Sequence, residues 1–315
     1  MMVGVTTGFL LPVAECDLDM DLERKGTLNA MAYFGMLFSS VIAGFLTDTF
    51  GRKIFLLVGF GGIFVFTVVA GSSQTYAVLA TAKFFEGVLF ATSFGALVSL
   101  TSEFCHKGIR DRVMLCQSSF IALAAIVTSA MTWGILIQHW EYSFFGGSFV
   151  LHTWNFYLYI VSLWSFAACV MYLFLPESPK YLVTQRKYDE AREILIRVYM
   201  ENTGRTAESY PFKNIWKDKS IYALDEAEEA DTNIRHQLVV GLHNIKPMFR
   251  KPLVMTLAKI CFTNIIIMAT YNLLRLWFPQ LSTVVEHYKF EGEQRFCDVM
   301  NKYTADLKSI SNVTE

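Results

Sequence analysis

Gly44-Phe45-Leu46-Thr47-Asp48-Thr49-Phe50-Gly51-Arg52-Lys53 is a short charged turn wedged between two apolar stretches, 27–46 and 54–71, each long enough to cross a bilayer. A turn in that position needs Gly44 where two helices approach closely and Gly51 for a tight backbone. It also sets an acid, Asp48, near a helix end and two cations, Arg52 and Lys53, toward the cytosol.

Outward from this turn the same pattern repeats. A spanning helix takes roughly 20 mostly apolar residues. Further stretches at 77–101, 113–137, 154–175 and 253–274 meet that requirement, so the chain is expected to hold six full spans. The apolar piece 1–13 reaches only about 20 Å at 1.5 Å per residue and reads as half a helix. Residues 1–12 contain no Lys or Arg, so the basic start of a signal peptide is missing and N-terminal truncation is the expectation.

Composition supports lipid as the solvent. Apolar residues make up 53% of the chain and aromatic residues 15%, with a mean hydropathy of +0.37, more than a soluble domain usually hides. A net charge of -1 with no basic stripe excludes nucleic acid as a partner. The cysteines Cys16, Cys105, Cys116, Cys169, Cys261 and Cys297 show no CxxC or Cys/His ligand spacing, which argues against a zinc site and against a disulfide framework. A bridge between Cys16 and Cys297 stays open. There is no Gly-Lys-Ser/Thr phosphate loop, no nucleophile elbow and no HExxH, so the expectation is a protein that is not an enzyme and uses no cofactor or metal. The histidines fall at span ends or in loops, where solvated roles outnumber proton relays.

Orientation follows from Lys and Arg in the short connections. Arg52 and Lys53, then Lys107, Arg110 and Arg112, mark one side as cytosolic, whereas 72–76 and 138–153 contain no Lys or Arg. Arg24 and Lys25 dissent, but among Glu15, Asp17, Asp19, Asp21 and Glu23. The sequon at Asn312 falls on the lumenal side in this alternation, where glycans are added. The polar stretch 176–252 reads as a cytosolic linker. In it, Ser178 caps a short helix that begins at Pro179, and Ala191, Ile194, Leu195 and Val198 repeat along a second helix with an apolar stripe. The acidic run 225–231 reads as a solvated face.

The turn from Gly44 to Lys53 resembles the loop between the second and third helices of the major facilitator superfamily. Pro176-Glu177-Ser178-Pro179-Lys180 is similar to the Pro-Glu-Ser-Pro-Arg motif after the sixth helix of sugar, organic-ion and synaptic-vesicle members. Lys83-Phe84-Phe85-Glu86-Gly87 stands where those families usually read Arg-Phe-x-x-Gly, and Glu103 precedes Arg110 as theirs does, with Asp111 in place of Gly. The run from Gly8 to Leu18, Tyr142-Ser143-Phe144, Trp154 and the tail 271–279 look like the synaptic vesicle glycoprotein 2 family and its insect relatives. Asn155 stands where an Arg usually follows the Trp.

The resemblance implies an all-α membrane protein, a major facilitator superfamily N-terminal helix bundle with a partial first helix and five full spans, plus the seventh helix of the parent fold. Its expected parts are the bundle at 1–175, the linker at 176–252, the first helix of the second bundle at 253–279 and the start of a lumenal domain at 280–315. The second helix bundle is then missing, and alternating access needs both halves. Implied partners are the lipid bilayer and a small-molecule substrate, an organic ion or a sugar-like solute, in a multi-pass protein of a vesicle or plasma membrane. The rival reading is a non-transporting membrane glycoprotein that binds a vesicle-trafficking protein, and a third is that the chain does nothing alone.

The resemblance assigns Gly44, Asp48, Gly51, Arg52, Lys53, Glu103, Arg110, Glu177 and Ser178 to a cytosolic gate. The physical basis is an acid at a helix N-terminus facing a cation from a neighbouring helix, set against a bland turn whose cations only fix topology. Lys83 and Glu86 sit inside a span at i, i+3. They are open to two readings, solute or proton coupling and a structural pair with Lys83 snorkelling outward. Lys259 reads as a snorkelling cation. Arg275, Trp133, Trp140, Trp154 and Trp277 read as interfacial anchors.

Overall fold

The computed structural model describes residues 2–15, 17–106, 108–144, 146, 149–185, 187–211, 251, 253–287, 301–303 and 305. The elements run α1 (Met2–Ala14), α2 (Leu22–Phe50), α3 (Arg52–Gly71), α4 (Tyr76–Phe104) and α5 (Arg110–Leu136). A hairpin of β1 (Glu141–Phe144) and β2 (Phe149–His152) follows, then α6 (Thr153–Leu173), α7 (Pro179–Thr184), α8 (Tyr188–Thr203) and α9 (Leu253–His287). Five of these, α3, α4, α5, α6 and the 253–279 part of α9, are long and apolar enough to cross a membrane. α2, at 29 residues, spans about 43 Å and is long enough as well.

α4 is the centre of the bundle, with α2 against one side and α3 against the other, and α6 packs on the far side of α3. Lipid tails are as apolar as Leu, so helix association in a bilayer rests on close contact through small residues. That is what the sequence supplies. A Cβ on Gly87 would overlap the carbonyl of Ala32, and one on Gly35 would overlap the carbonyl of Phe84, so α2 and α4 meet backbone to backbone. Outward-facing Phe34, Leu37 and Phe38 of α2 and Ile54, Val58 and Val65 of α3 are exposed, as side chains lining a lipid-facing wall are. Gly87→Val is expected to destabilise the bundle by about 1–3 kcal/mol through overpacking. Gly95→Val in the same helix, where a Cβ meets open space, should barely change the melting temperature in detergent. Equal losses for the two would contradict this packing.

Two buried clusters stack along the bundle. Leu10, Leu11, Leu28, Leu79, Trp154, Tyr157 and Leu158 fill the half nearest the hairpin. Leu56, Ala96 and Leu100, with Phe60 and Tyr172 packed against them, fill the half nearest the α2–α3 turn. α1 lies along α9, where Gly8 brings its Cα side within 3.2 Å of the Leu276 carbonyl as measured from an added Cβ.

Several expectations need correction. The turn is a single residue: α2 runs on to Phe50, α3 begins at Arg52, and Gly51 alone breaks the helix with φ +98°. Gly44 is not at a close helix contact, since a Cβ there would meet nothing within 4 Å. The connection 138–153 carries a hairpin in the register Glu141 to His152 and Phe144 to Phe149. Trp154 is not an interfacial anchor but a core residue, 2% exposed. α9 continues through Pro279 to His287, past the expected end of its span, as membrane helices do where neighbouring groups satisfy the backbone that Pro frees. Cys16, Cys297, Lys107, the acidic run 225–231 and the sequon at Asn312 lie outside the described residues.

Candidate functional site

At the end of the bundle where α2 gives way to α3, four helix ends are tied by charge. Gly51 comes first, because its left-handed backbone turns the chain and its missing side chain makes room. A Cβ there would lie 2.7 Å from Oε2 of Glu177 and 3.0 Å from the ring of Tyr181. Into that space Glu177, from the α6–α7 connection, brings its carboxylate to the first turn of α3. It accepts the backbone N–H groups of Arg52 at 3.1 Å and Lys53 at 3.2 Å, and also that of Ser178 at 2.9 Å. The first N–H groups of a helix have no partner within it and carry its positive dipole end, so a carboxylate from another segment satisfies both.

Arg52 then reaches across to α4. Its Nη2 donates to Oε1 of Glu103 at 3.1 Å, with the two side chains 8% and 7% exposed. Its guanidinium lies 5.6 Å above the ring of Tyr181. Glu103 occupies the last turn of α4, where the helix dipole disfavours an acid, and its partners offset that cost. The other oxygen, Oε2, accepts from the hydroxyl of Ser178. Ser178 in turn accepts from the N–H of Tyr181 at 3.2 Å and so caps α7, as expected for Ser-Pro at a helix start. Lys53 closes the ring by donating to the Leu173 carbonyl at the end of α6, at 3.0 Å. Burial, and then the Glu177 carboxylate, push the Tyr181 phenol above its usual value, so the ring over Arg52 stays neutral and its face remains a cation acceptor.

The structure therefore brings Gly51, Arg52, Lys53, Glu103, Glu177 and Ser178 together. It leaves Arg110 apart: that residue is exposed and makes no ion pair among the described residues. Lys180 approaches Glu103 only to 3.9 Å with its side chain 72% exposed, a contact of small weight. Asp48 lies in the last turn of α2, at a helix C-terminus, with its side chain outside the described residues. The acid at a helix N-terminus is Glu177, not Asp48. Tyr181 was missed as a member. Its signal was the i+3 spacing from the Ser178 cap, which points its ring back toward Gly51.

Deeper in α4, Lys83 donates to Oε2 of Glu86 at 2.9 Å, the two side chains 0% and 1% exposed. Lys83 does not snorkel, because its ammonium turns to the carboxylate one turn along its own helix. The second oxygen of Glu86, Oε1, has no hydrogen-bond partner among the described residues, and neither amide atom of buried Asn29 on α2 has one. Lys259 is exposed on α9, and Arg275 lies 5.8 Å from the Tyr271 ring. Among the described residues no group of His, Cys, Asp and Glu is placed to hold a metal ion.

Comparison with known proteins gives the same frame. The family model described as "Sugar (and other) transporter" matches residues 13–273. The chain is 27% identical over 292 residues to synaptic vesicle glycoprotein 2A of Rattus norvegicus, covering 87% of this chain and 38% of that protein. It is 27% identical over 293 residues to synaptic vesicle glycoprotein 2C of Mus musculus, covering 89% and 40% respectively. The chain thus spans less than half the length of these curated relatives. Among solved structures it is similar to the partially occluded inward open conformation of the xylose transporter XylE from E. coli. That likeness has a TM-score of 0.59 at 15% identity, covering 90% of this chain and 66% of the other. At that identity it establishes the fold, a partial bundle of the major facilitator kind.

Proposed function

We propose, since this chain belongs to the sugar (and other) transporter family, that the protein it represents moves a small organic ion or sugar-like solute across a membrane by alternating access. The tie among Arg52, Glu103, Glu177 and Ser178 is its gate. In this reading the α2–α3 turn, the α4–α5 turn and α7 face the cytosol, the linker 176–252 lies on that side, and the hairpin and Asn312 lie across the bilayer. α9 is the first helix of a second bundle.

The observation that carries the reading is the buried Arg52–Glu103 pair joined to the Glu177 cap. Four helix ends, on α3, α4, α6 and α7, share one set of charges. Cations that only fixed topology would be solvated, whereas this pair is nearly out of water. A rocking motion of one helix group against another has to break it, which makes it a two-state element of the kind that switches. The Lys83–Glu86 pair, with one carboxylate oxygen unbonded among the described residues, is the candidate for solute or proton coupling within the membrane.

Vesicles carrying the full-length protein are expected to take up a small organic ion or sugar, with uptake lowered at least tenfold by Glu103→Gln. Uptake that stays flat across both solute classes would count against transport. A second reading is a non-transporting glycoprotein that binds a trafficking partner through its linker, and the relatives' names support only the vesicle-glycoprotein part of it. Capture of a defined vesicle protein by the full-length chain, lost when Ile194 and Val198 of the α8 stripe become Asp, would favour that reading instead.

A further inference from the structure

The opposite end of the bundle holds a second polar junction that the gate does not use. Asp17 lies in the loop between α1 and α2, and its Oδ2 accepts from the indole N–H of Trp154 at 2.7 Å. The same oxygen sits 3.1 Å from Nδ1 of His152, with the His152 and Asp17 side chains 35% and 25% exposed. His152 closes β2 and caps α6. Its backbone N–H donates to Oδ1 of Asn155 at 2.7 Å, and Nδ2 of Asn155 donates to the Gly71 carbonyl at the end of α3 at 2.8 Å. One carboxylate therefore ties the α1–α2 loop to the hairpin, α6 and α3. The Trp154 side of this junction is buried, 2% exposed, whereas the His152 imidazole is open to solvent.

The groups around the imidazole set the sign. From the α1–α2 loop it meets Asp17, and from β1 it has Glu141 directly opposite in the strand register. α6 offers neutral Trp154 and Asn155, and the α3–α4 turn offers neutral Gln74, which bonds both backbone groups of Val150. Glu15 and Lys25 pair with each other at 2.5 Å, and Arg24 turns to the Asp19 carbonyl and the Tyr76 ring. Among the described residues no cation pairs with His152, whereas Asp17 does and Glu141 is its partner in the strand register.

We propose that His152 and Asp17 form a proton-operated latch on this end of the bundle. Imidazole is the side chain that ordinarily changes charge between pH 5 and 8, a range over which carboxylates ordinarily stay ionised. Nε2 takes a proton from solvent, Nδ1–H donates to Oδ2 of Asp17, and the resulting ion pair clamps the α1–α2 loop to the hairpin. Above that range the imidazole is neutral and the clamp loosens, leaving the Trp154 bond as a hinge. Acidification of the compartment that bathes the hairpin therefore stiffens the loop that leads α1 into α2, and α1 is the helix that lies on α9.

Amide hydrogen exchange on the full-length chain in lipid nanodiscs, corrected for intrinsic rates, tests this at residues 17–21 and 150–155. The wild type is expected to exchange roughly threefold more slowly at pH 5.5 than at pH 7.5, the size of a partly exposed ion pair. His152→Lys, with a fixed charge, should be slow at both values, and His152→Gln fast at both. Asp17→Asn should abolish the difference. A wild-type helical circular dichroism spectrum certifies that each variant is folded. Equal protection at the two pH values in the wild type would overturn the latch, as would the same difference surviving in folded His152→Gln.

Discussion

Lys83→Met is expected to destabilise the bundle by about 3–5 kcal/mol, because it leaves Glu86 buried with no cation beside it. The pair lies out of water on α4, and among the described residues no other cation pairs with Glu86. Lys83→Met with Glu86→Leu removes both charges at similar volume and should return stability to near the wild-type value, as replacing a buried pair by apolar residues often does. Thermal melting of the wild type, Lys83→Met, Glu86→Leu and the double variant in one detergent measures the cycle. A single variant as stable as the wild type would mean that lipid headgroups or water reach Glu86. Uptake then separates the two readings of the pair. A structural pair predicts a stable, active double variant, and a coupling pair predicts one that is stable and inactive.

Arg52→Ala carries the second large effect, again about 3–5 kcal/mol, because Glu103 would stay buried against Ser178 without its cation. The loss should also be local. Exchange should rise in the first turn of α3 and across α7, while the hairpin end is unchanged. Arg110→Ala should change stability by less than about 0.5 kcal/mol, as exposed residues usually do. An equal response to the two arginines would show that the cations act only through their number on that face.

Hydrophobic length made most of this architecture readable in advance. The spans at 54–71, 77–101, 113–137 and 154–175 reappear as α3 to α6 within a few residues, because a bilayer leaves few other conformations open to such stretches. The Ser178 cap was equally legible, since Ser before Pro needs no tertiary partner to be recognised. What stayed hidden depends on contacts between distant segments. Glu177 lies 125 positions from the Arg52 N–H it accepts, and Asp17 lies 137 from Trp154, so neither bond has a local pattern. Trp154 looked like an interfacial anchor because aromatic residues at span ends usually are. Its indole found Asp17 instead, and the side chain went inward. Gly44 and Arg110 failed for the converse reason: a motif marks where such residues stand but not which neighbour meets them.

The central claim is that the Arg52–Glu103 tie is a gate facing one side of a membrane, and Cys105, partly exposed two residues beyond Glu103, reports on it directly. In sealed vesicles bearing the full-length protein with Cys105 as its one cysteine, a membrane-impermeant thiol reagent should label it only from the side of the α2–α3 turn. Glu103→Gln should speed that labelling about tenfold, the change expected for roughly 1.4 kcal/mol of lost closure. Labelling from the hairpin side, or a rate that Glu103→Gln leaves unchanged, would contradict the account.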